Sequence, residues 1–150
     1  MDDETRGPGW FAPGPDDDLA ALPEGPVRDD QHLLEVMLEL VGPERAGPPA
    51  LWLVLLDAHG ALLPVVLPLV GIPLRPDPAQ VRQVLVALGD VLAHEAPGGS
   101  LVAAVVRAAG GDRGSVERAW EEALRVGAAD RGMTLRTVLA IGEHRARVLT

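Results

Sequence analysis

The side chains that could do chemistry are few in this chain and are scattered along it. Its four histidines are His32, His59, His94 and His144. None of them belongs to an H-x-H, H-x-x-H or H-E-x-x-H pattern, the spacings that bring two imidazoles to one metal ion. The chain has no cysteine, which excludes disulfides, thiol catalysis and thiolate metal sites. We therefore expect no metal ion and no other cofactor.

Two local groups of residues could take part in acid–base or cation-binding chemistry. Asp57 and His59 share a short segment with Gly60, and an Asp and a Gly at this spacing are also typical of a tight turn. His94 and Glu95 stand at the end of an apolar helical pattern. There they could hold a cation with help from elsewhere, or His94 could complement the helix dipole. Turn formation and helix termination already explain these residues, so we predict no catalytic residue from them.

A glycine-rich segment at residues 110–114 precedes a predicted helix. The start of a helix favours anions, because its first N–H groups are free and its dipole is positive there. The segment lacks the Lys and the spacing of a phosphate-binding loop, and the chain has no dinucleotide fingerprint. The candidate residues for a weak anion site are Gly110, Gly111, Arg113 and Ser115. The alternative is a flexible connection in which Ser115 caps the helix.

The N-terminal segment differs in composition from the rest of the chain. Residues 1–30 hold nine acidic residues and two arginines, a formal charge of −7, so residues 31–150 carry −2. Because residues 1–29 are also rich in Pro and Gly, they cannot bury enough apolar surface to offset the entropy of ordering, and we predict a disordered acidic tail. The aromatic pair Trp10 and Phe11 inside it is a candidate docking motif for a partner groove, or it rests loosely on the domain.

Length and composition limit the kind of protein. A chain of 150 residues suggests one domain, and the core must be aliphatic because there are three Trp, one Phe and no Tyr. The N-terminus has no signal-peptide pattern, and the apolar runs at 51–56 and 61–70 are too short to cross a bilayer. No basic face suits a phosphate backbone. We expect a cytoplasmic protein that binds neither membranes nor nucleic acids.

Apolar periodicity divides residues 30–150 into helices and strands. Helical spacing occurs in 30–41, 78–95 and 115–131, and strand-like runs occupy 51–56, 61–70, 101–106, 135–141 and 145–149. Pro64 and Pro68 cannot donate to a β-ladder, so we expect their strand at a sheet edge. Trp52 and Trp120 fall within apolar patterns and are predicted core residues. The predicted fold class is α/β (α+β mixed), a mixed sheet of about five strands with three helices.

The element order α-β-β-α-β-α-β-β resembles the RadC-type JAB/MPN domain, the JAMM metallo-hydrolase fold. The resemblance begins with residues 30–40 as the lead-in helix and Leu51-Trp52-Leu53-Val54-Leu55-Leu56-Asp57 as the strand that ends in Leu-Leu-Asp. It continues with residues 65–71 as the returning strand and residues 75–81 as the entry to the long helix. Residues 101–106, 115–124 and 135–142 complete the order, so about four fifths of the chain is covered.

The resemblance implies a metal site whose ligands this chain lacks. The family uses a Glu on the returning strand, a His-x-His-Pro motif after the central strand, and an Asp three residues beyond a Ser. Those positions fall here at Val65 or Val66, at residues 106–110, at Ser115 and at Arg118. A zinc ion needs about three protein ligands, and none of these positions supplies one. The resemblance therefore implies a non-catalytic relative.

Three functions stay open at this point. The first is a non-catalytic interaction or regulatory module that binds an unidentified protein partner, with a homodimer as one arrangement. The second is a hydrolase with an unconventional site assembled from Asp57, His59, His94 or Glu95. The third is a binder of a small anion at residues 110–115. The missing ligands favour the first.

Overall fold

The computed structural model describes residues 25–149, in which the helices and strands follow one another in the order that the sequence predicts. The helices are α1 (Asp30–Val41), α2 (Pro78–Glu95) and α3 (Ser115–Asp130), and a short 3-10 helix at Gly42–Ala46 follows α1. The strands are β1 (Ala50–Leu56), β2 (Leu62–Val70), β3 (Ser100–Val106), β4 (Thr134–Ile141) and β5 (Ala146–Val148). Within the described residues the predicted α/β class, with a mixed sheet and three helices, is confirmed.

The sheet has the order β2-β1-β3-β4-β5. Strand β1 is antiparallel to both of its neighbours, β3 is parallel to β4, and β4 is antiparallel to β5. The carboxyl ends of β3 and β4 therefore lie side by side, with Val106 opposite Ile141. This edge of the sheet, formed by the chain ends that follow β3 and β4, carries the residues of the predicted anion site.

Strand β2 is an edge strand, as its prolines predict. The N–H of Gly71 donates to the carbonyl of Pro49 at 2.7 Å, on the β1 side. Because N–H groups alternate in direction along a strand, Pro68 turns its nitrogen away from β1, towards the open edge. A proline there removes a donor that another strand would need, which discourages edge-to-edge pairing.

The two faces of the sheet have separate aliphatic cores. Helices α2 and α3 cover the face that carries Leu53 and Ala103, and α1 covers the face that carries Trp52 and Val102. Every residue of β1 is buried, because the strand has a neighbour on each side and a core on each face. Trp120 is 1% exposed and Trp52 is 8% exposed, so both predictions of core positions are confirmed.

The helices begin where the sequence predicts a cap. The side chain of Asp29 accepts a hydrogen bond from the N–H of His32 at the start of α1. Asp77 accepts from the N–H of Ala79, and Pro78 is the first residue of α2. Each cap satisfies an N–H group that has no partner within its helix.

The folded part of the chain extends a few residues beyond the predicted boundary at residue 30. Pro26 forms an antiparallel bridge with Ala61, and the N–H of Val27 donates to the carbonyl of Gly60 at 3.0 Å. Val27 is 8% exposed and belongs to the same core as Trp52. Residues 25–29 are thus attached to the β1–β2 turn rather than separate from the domain.

Candidate functional site

The predicted anion residues lie at the carboxyl edge of β3 and β4. Residues 107–114 connect β3 to α3, and residues 142–145 connect β4 to β5. In α/β sheets, ligands bind in the crevice beyond the carboxyl ends of the parallel strands, between the connections that leave them. The arrangement of these two connections therefore decides whether a ligand has room here.

The two connections are bonded to each other rather than separated by a crevice. The N–H of Arg107 donates to the carbonyl of Ile141 at 3.0 Å, and the N–H of Glu143 donates to the carbonyl of Ala108 at 2.9 Å. A Cβ added to Gly142 would lie 2.2 Å from the carbonyl oxygen of Gly110. Gly142 is therefore the residue that lets the two backbones approach this closely.

The start of α3 is occupied by a carboxylate of the chain itself. Glu117 is 0% exposed, and its two oxygens accept from Nε and Nη2 of Arg107 at 3.1 and 3.2 Å. Its Oε2 would be 2.3 Å from a Cβ on Gly110, and its Oε1 would be 2.8 Å from a Cβ on Gly114. A negative charge is favoured at a helix N-terminus, and Glu117 already provides one.

The residues predicted for the anion site have other roles in this arrangement. Gly110 and Gly111 are buried beneath the two connections. A terminal nitrogen of Arg113 donates to the carbonyl of Leu149 at 2.6 Å. Ser115 is exposed and is the first residue of α3, whose N-cap is Gly114 without a side-chain cap. The predicted cap at Ser115 is wrong, because the helix begins one residue earlier than a cap at this position requires.

Arginines from distant parts of the sequence strengthen this edge. Nε of Arg45, in the 3-10 helix, donates to the carbonyl of Gly142 at 2.7 Å. Arg147 donates to Asp112 at 2.8 Å. The hydrogen bond from Arg147, followed by one from the N–H of Arg113, holds the pKa of the Asp112 carboxyl below its ordinary value of 3.8. Charge-assisted bonds of this kind fix the two connections relative to each other.

Sequence reasoning missed this arginine set. Its members are separated by up to about a hundred positions, and no local spacing links Arg45 to Gly142 or Arg147 to Asp112. The chain also uses Arg for every basic residue other than histidine, so an arginine carries little signal by itself. Only the topology brings these side chains together.

The residues considered for acid–base chemistry are engaged in local structure. Asp57 accepts from the N–H groups of His59 and Ala61 at 2.8 and 3.0 Å, which forms the predicted turn. The bond from Ala61, followed by the one from His59, lowers the pKa of the Asp57 carboxyl. Nδ1 of His94 lies 2.9 Å from the carbonyl of Asp90, one helical turn earlier. Across residues 25–149, no three His, Asp or Glu side chains are grouped so that they could hold a metal ion.

The strand register relates two of the positions that the resemblance implies, Val66 on β2 and Val106 at the end of β3. Val66 pairs with Val54, and Val54 pairs with Val102. Val66 is therefore level with Val102, whereas the vacant His-x-His-Pro positions begin at Val106, four residues and roughly 13 Å further along β3. Val66 and Val106 therefore lie at different levels of the sheet.

An apolar groove of about 700 Å³ lies between α2 and α3, and we call it the α2–α3 groove. Val81 of α2 and Ala119, Ala123 and Val126 of α3 contribute aliphatic walls. Val126 is 52% exposed, which is high for a valine beside a core. A Cβ on Gly127 would lie 2.6 Å from Cδ1 of Leu85, so this glycine permits the close approach of the two helices below the groove.

The charges around the α2–α3 groove balance. Arg82 and Arg131 carry positive charges, and Glu122 and Asp130 carry negative charges. The groove therefore favours neither a positive nor a negative ligand, and its aliphatic walls favour an apolar ligand. The sequence did not predict this groove, because a helical pattern predicts which face of a helix is buried and does not predict where two helices leave space between them. The predicted docking motif, Trp10 and Phe11, lies outside the described residues.

Comparison with protein-family models, with curated proteins and with solved structures finds no match to this chain. Among residues 25–149, none of the helices has the length and apolar character that crossing a bilayer requires.

Proposed function

We propose that this chain is a non-catalytic protein-interaction module whose α2–α3 groove receives the apolar face of an amphipathic helix from a partner protein. The observation that carries the proposal is the half-exposed Val126 in a groove walled by aliphatic side chains. A helix that docks in a groove anchors itself through apolar residues spaced along one face. The balanced charges of the rim suit a partner helix whose contacting face is uncharged.

The chemistry-bearing residues support the same proposal. Asp57 forms a turn, and Glu117 is paired with Arg107 beneath the glycines at the start of α3. These groups are bound within the fold and lie outside the α2–α3 groove. A catalytic pocket brings polar groups together around an apolar cavity. In the described residues the α2–α3 groove and the buried carboxylate are instead separate features.

The relation to the RadC-type JAB/MPN domain is part of this proposal and depends on the order of elements. In it, the chain is a relative that has kept the α-β-β-α-β-α-β-β order and has lost the hydrolase chemistry. We also propose a cytoplasmic location, which is the expectation from composition and not from the order of elements. Inactive members of enzyme folds often serve as binding partners, which is an argument by analogy.

An affinity-capture experiment with matched variants tests the groove. The bait proteins are the wild-type chain, Val126→Asp in the groove and Val86→Asp on α2, where the valine is 37% exposed and does not line the groove. We expect one protein from the native host to be captured by the wild type and by Val86→Asp, and lost with Val126→Asp. Equal capture by all three baits would contradict the proposal.

Two further measurements separate this function from its rivals. The first is turnover of ester, peptide and phosphodiester substrates, together with the zinc content of the purified chain. Turnover that is lost when Asp57 or His94 is replaced would establish the hydrolase instead. The second is sedimentation of the wild type and of Val126→Asp. A dimer that Val126→Asp converts to a monomer would identify the groove's occupant as a second copy of the chain.

A further inference from the structure

Strand β5 is the second edge of the sheet, opposite β2. The N–H of Leu149 donates to the carbonyl of Val138 at 2.8 Å, on the β4 side. Because backbone groups alternate in direction along an antiparallel strand, the N–H and C=O groups of Ala146 and Val148 point away from β4. Neither N–H has a backbone acceptor within residues 25–149. The edge therefore offers these backbone groups to another strand.

The two edges of the sheet are protected in different ways. On β2, Pro68 leaves no donor where its nitrogen faces the open edge. Strand β5 contains no proline and carries Arg147 at its centre. A charged side chain on an edge strand repels a strand of like charge and accepts one of opposite charge. The β2 edge thus discourages every added strand, whereas the β5 edge discriminates by charge.

Two arginines at the β5 edge share one carboxylate. Arg147 donates to Oδ1 of Asp112 at 2.8 Å, and a terminal nitrogen of Arg145 lies 3.9 Å from Oδ2 of the same residue. Since both reach Asp112, both side chains lie on the same side of the sheet. They are 48% and 63% exposed. Among these three residues one positive charge has no counter-charge, and it is accessible to a partner.

The other side of the β5 edge is apolar and incompletely covered. Ala146 and Val148 pack against the core beneath α1 but are only partly buried, and so is Leu38 of α1. Apolar side chains of an added strand would lie beside Ala146 and Val148 and would extend this core. The β5 edge therefore has a cationic side and an aliphatic side.

We propose that β5 receives an extended segment of a partner protein in which acidic residues alternate with apolar ones. The backbone of the segment pairs with Ala146 and Val148, its acidic side chains lie beside Arg145 and Arg147, and its apolar side chains lie on the α1 side. Because side chains alternate between the two faces of a strand, one alternating sequence fits both sides of the edge. This surface is separate from the α2–α3 groove and does not depend on what the groove binds.

A second copy of the chain fits this edge less well. An antiparallel pair of β5 strands that joins Ala146 of one copy to Val148 of the other would place the two Arg147 side chains directly opposite each other. Like charges in that position destabilise a strand pair. The charge on the edge therefore favours an acidic segment over self-association.

Amide hydrogen exchange of the full chain with a synthetic peptide tests the proposal. The probe is acetyl-Glu-Val-Glu-Val-Glu-Val-amide. The control peptide, acetyl-Glu-Glu-Glu-Val-Val-Val-amide, has the same composition and charge without the alternation. The test variant of the protein is Arg145→Gln with Arg147→Gln. Its matched control is Arg28→Gln with Arg125→Gln, which removes the same charge from two exposed arginines elsewhere.

The expected protection alternates along β5. In excess probe peptide the amides of Ala146 and Val148 should exchange at least about tenfold more slowly, while the amide of Arg147, which faces β4, is unchanged. The test variant should bind the probe at least about tenfold more weakly, and the control variant and Val126→Asp should match the wild type.

Three results would overturn the proposal. The first is no protection of Ala146 and Val148 in excess probe peptide. The second is equal binding of the two peptides, because charge alone would then explain it. The third is protection of the same two amides that rises with protein concentration and needs no peptide, because a second copy of the chain would then occupy the edge.

Discussion

The carboxylate of Glu117 accepts one hydrogen bond from each of two nitrogens of Arg107, at 3.1 and 3.2 Å, with Glu117 fully buried. The pair joins the end of β3 to the first turn of α3, across a connection that contains Gly110 and Gly114. The glycines leave room for the carboxylate, and the carboxylate occupies the position that the helix dipole makes favourable for an anion. The connection, the helix start and the strand end are thus held by one contact.

Replacement of Glu117 should therefore lower the stability of the folded domain. Glu117→Gln removes the charge that compensates Arg107, whose side chain is 24% exposed, and we expect the free energy of unfolding to fall by roughly 3 kcal/mol. The matched control is Glu35→Gln, which removes the partner of Arg28 from an exposed pair and should cost below about 0.5 kcal/mol. Urea unfolding measures both. Equal losses would show that the buried pair has no special role.

Close approach of the two connections makes Gly142 sensitive to a single methyl group. In Gly142→Ala the new Cβ would meet the backbone of Gly110 at 2.2 Å, and neither backbone can move away without breaking the bonds between the connections. We expect a loss of at least about 2 kcal/mol in unfolding free energy. Gly132→Ala is the control: it has open space but a φ of +69°, so strain alone should cost about 1 kcal/mol. A loss for Gly142→Ala that is smaller than the loss for Gly132→Ala would contradict the close approach of Gly142 to Gly110.

Trp120 attaches the connection between β2 and α2 to helix α3. Its Nε1 donates to the carbonyl of Pro73, and its ring is 1% exposed. Trp120→Phe keeps most of the apolar volume and removes the donor, so we expect a loss of about 1–3 kcal/mol. Amide exchange should become faster at Ile72 and Leu74, on either side of Pro73. If only the overall stability changes and the exchange at these two amides does not, the hydrogen bond has no local role.

Two hydrogen-bonded carboxylates, Asp57 and Asp112, should make the stability of the fold decrease in acid. Hydrogen bonds hold the pKa values of Asp57 and Asp112 below their ordinary value of 3.8. A lowered pKa in the folded state contributes stability above the unfolded value, and that contribution is lost as the pH falls through the folded value. The melting temperature should therefore decrease below about pH 4. The variant Asp57→Asn with Asp112→Asn should show a shallower decrease. Parallel curves for the two proteins would contradict this assignment.

Much of the fold could be predicted from the sequence because local patterns determine it. The continuous apolar run of β1 predicts a strand buried on both faces, and Pro64 and Pro68 predict an edge strand. Asp77 followed by Pro78 predicts the start of α2. In each case the physical cause lies within a few residues, so one sequence is enough to recognise it.

The candidate site could not be predicted in the same way because its contacts are long-range. Charged residues of an amphipathic helix usually face solvent, yet Glu117 is buried because the connection from β3 folds over it. Ser115 reads as a cap, yet Gly114 takes that position. The α2–α3 groove depends on how two helices diverge, and that follows from the contact between Gly127 and Leu85 rather than from either helix alone.

The central claim is that the α2–α3 groove binds a partner, and site-specific photo-crosslinking in the native host tests it most directly. A photoreactive phenylalanine derivative replaces Val126 in the groove in one variant and Val86 outside it in the other. The account predicts a single crosslinked partner from position 126 and none from position 86. Equal crosslinking from both positions, or none from position 126 in a chain that turns over a substrate, would contradict it.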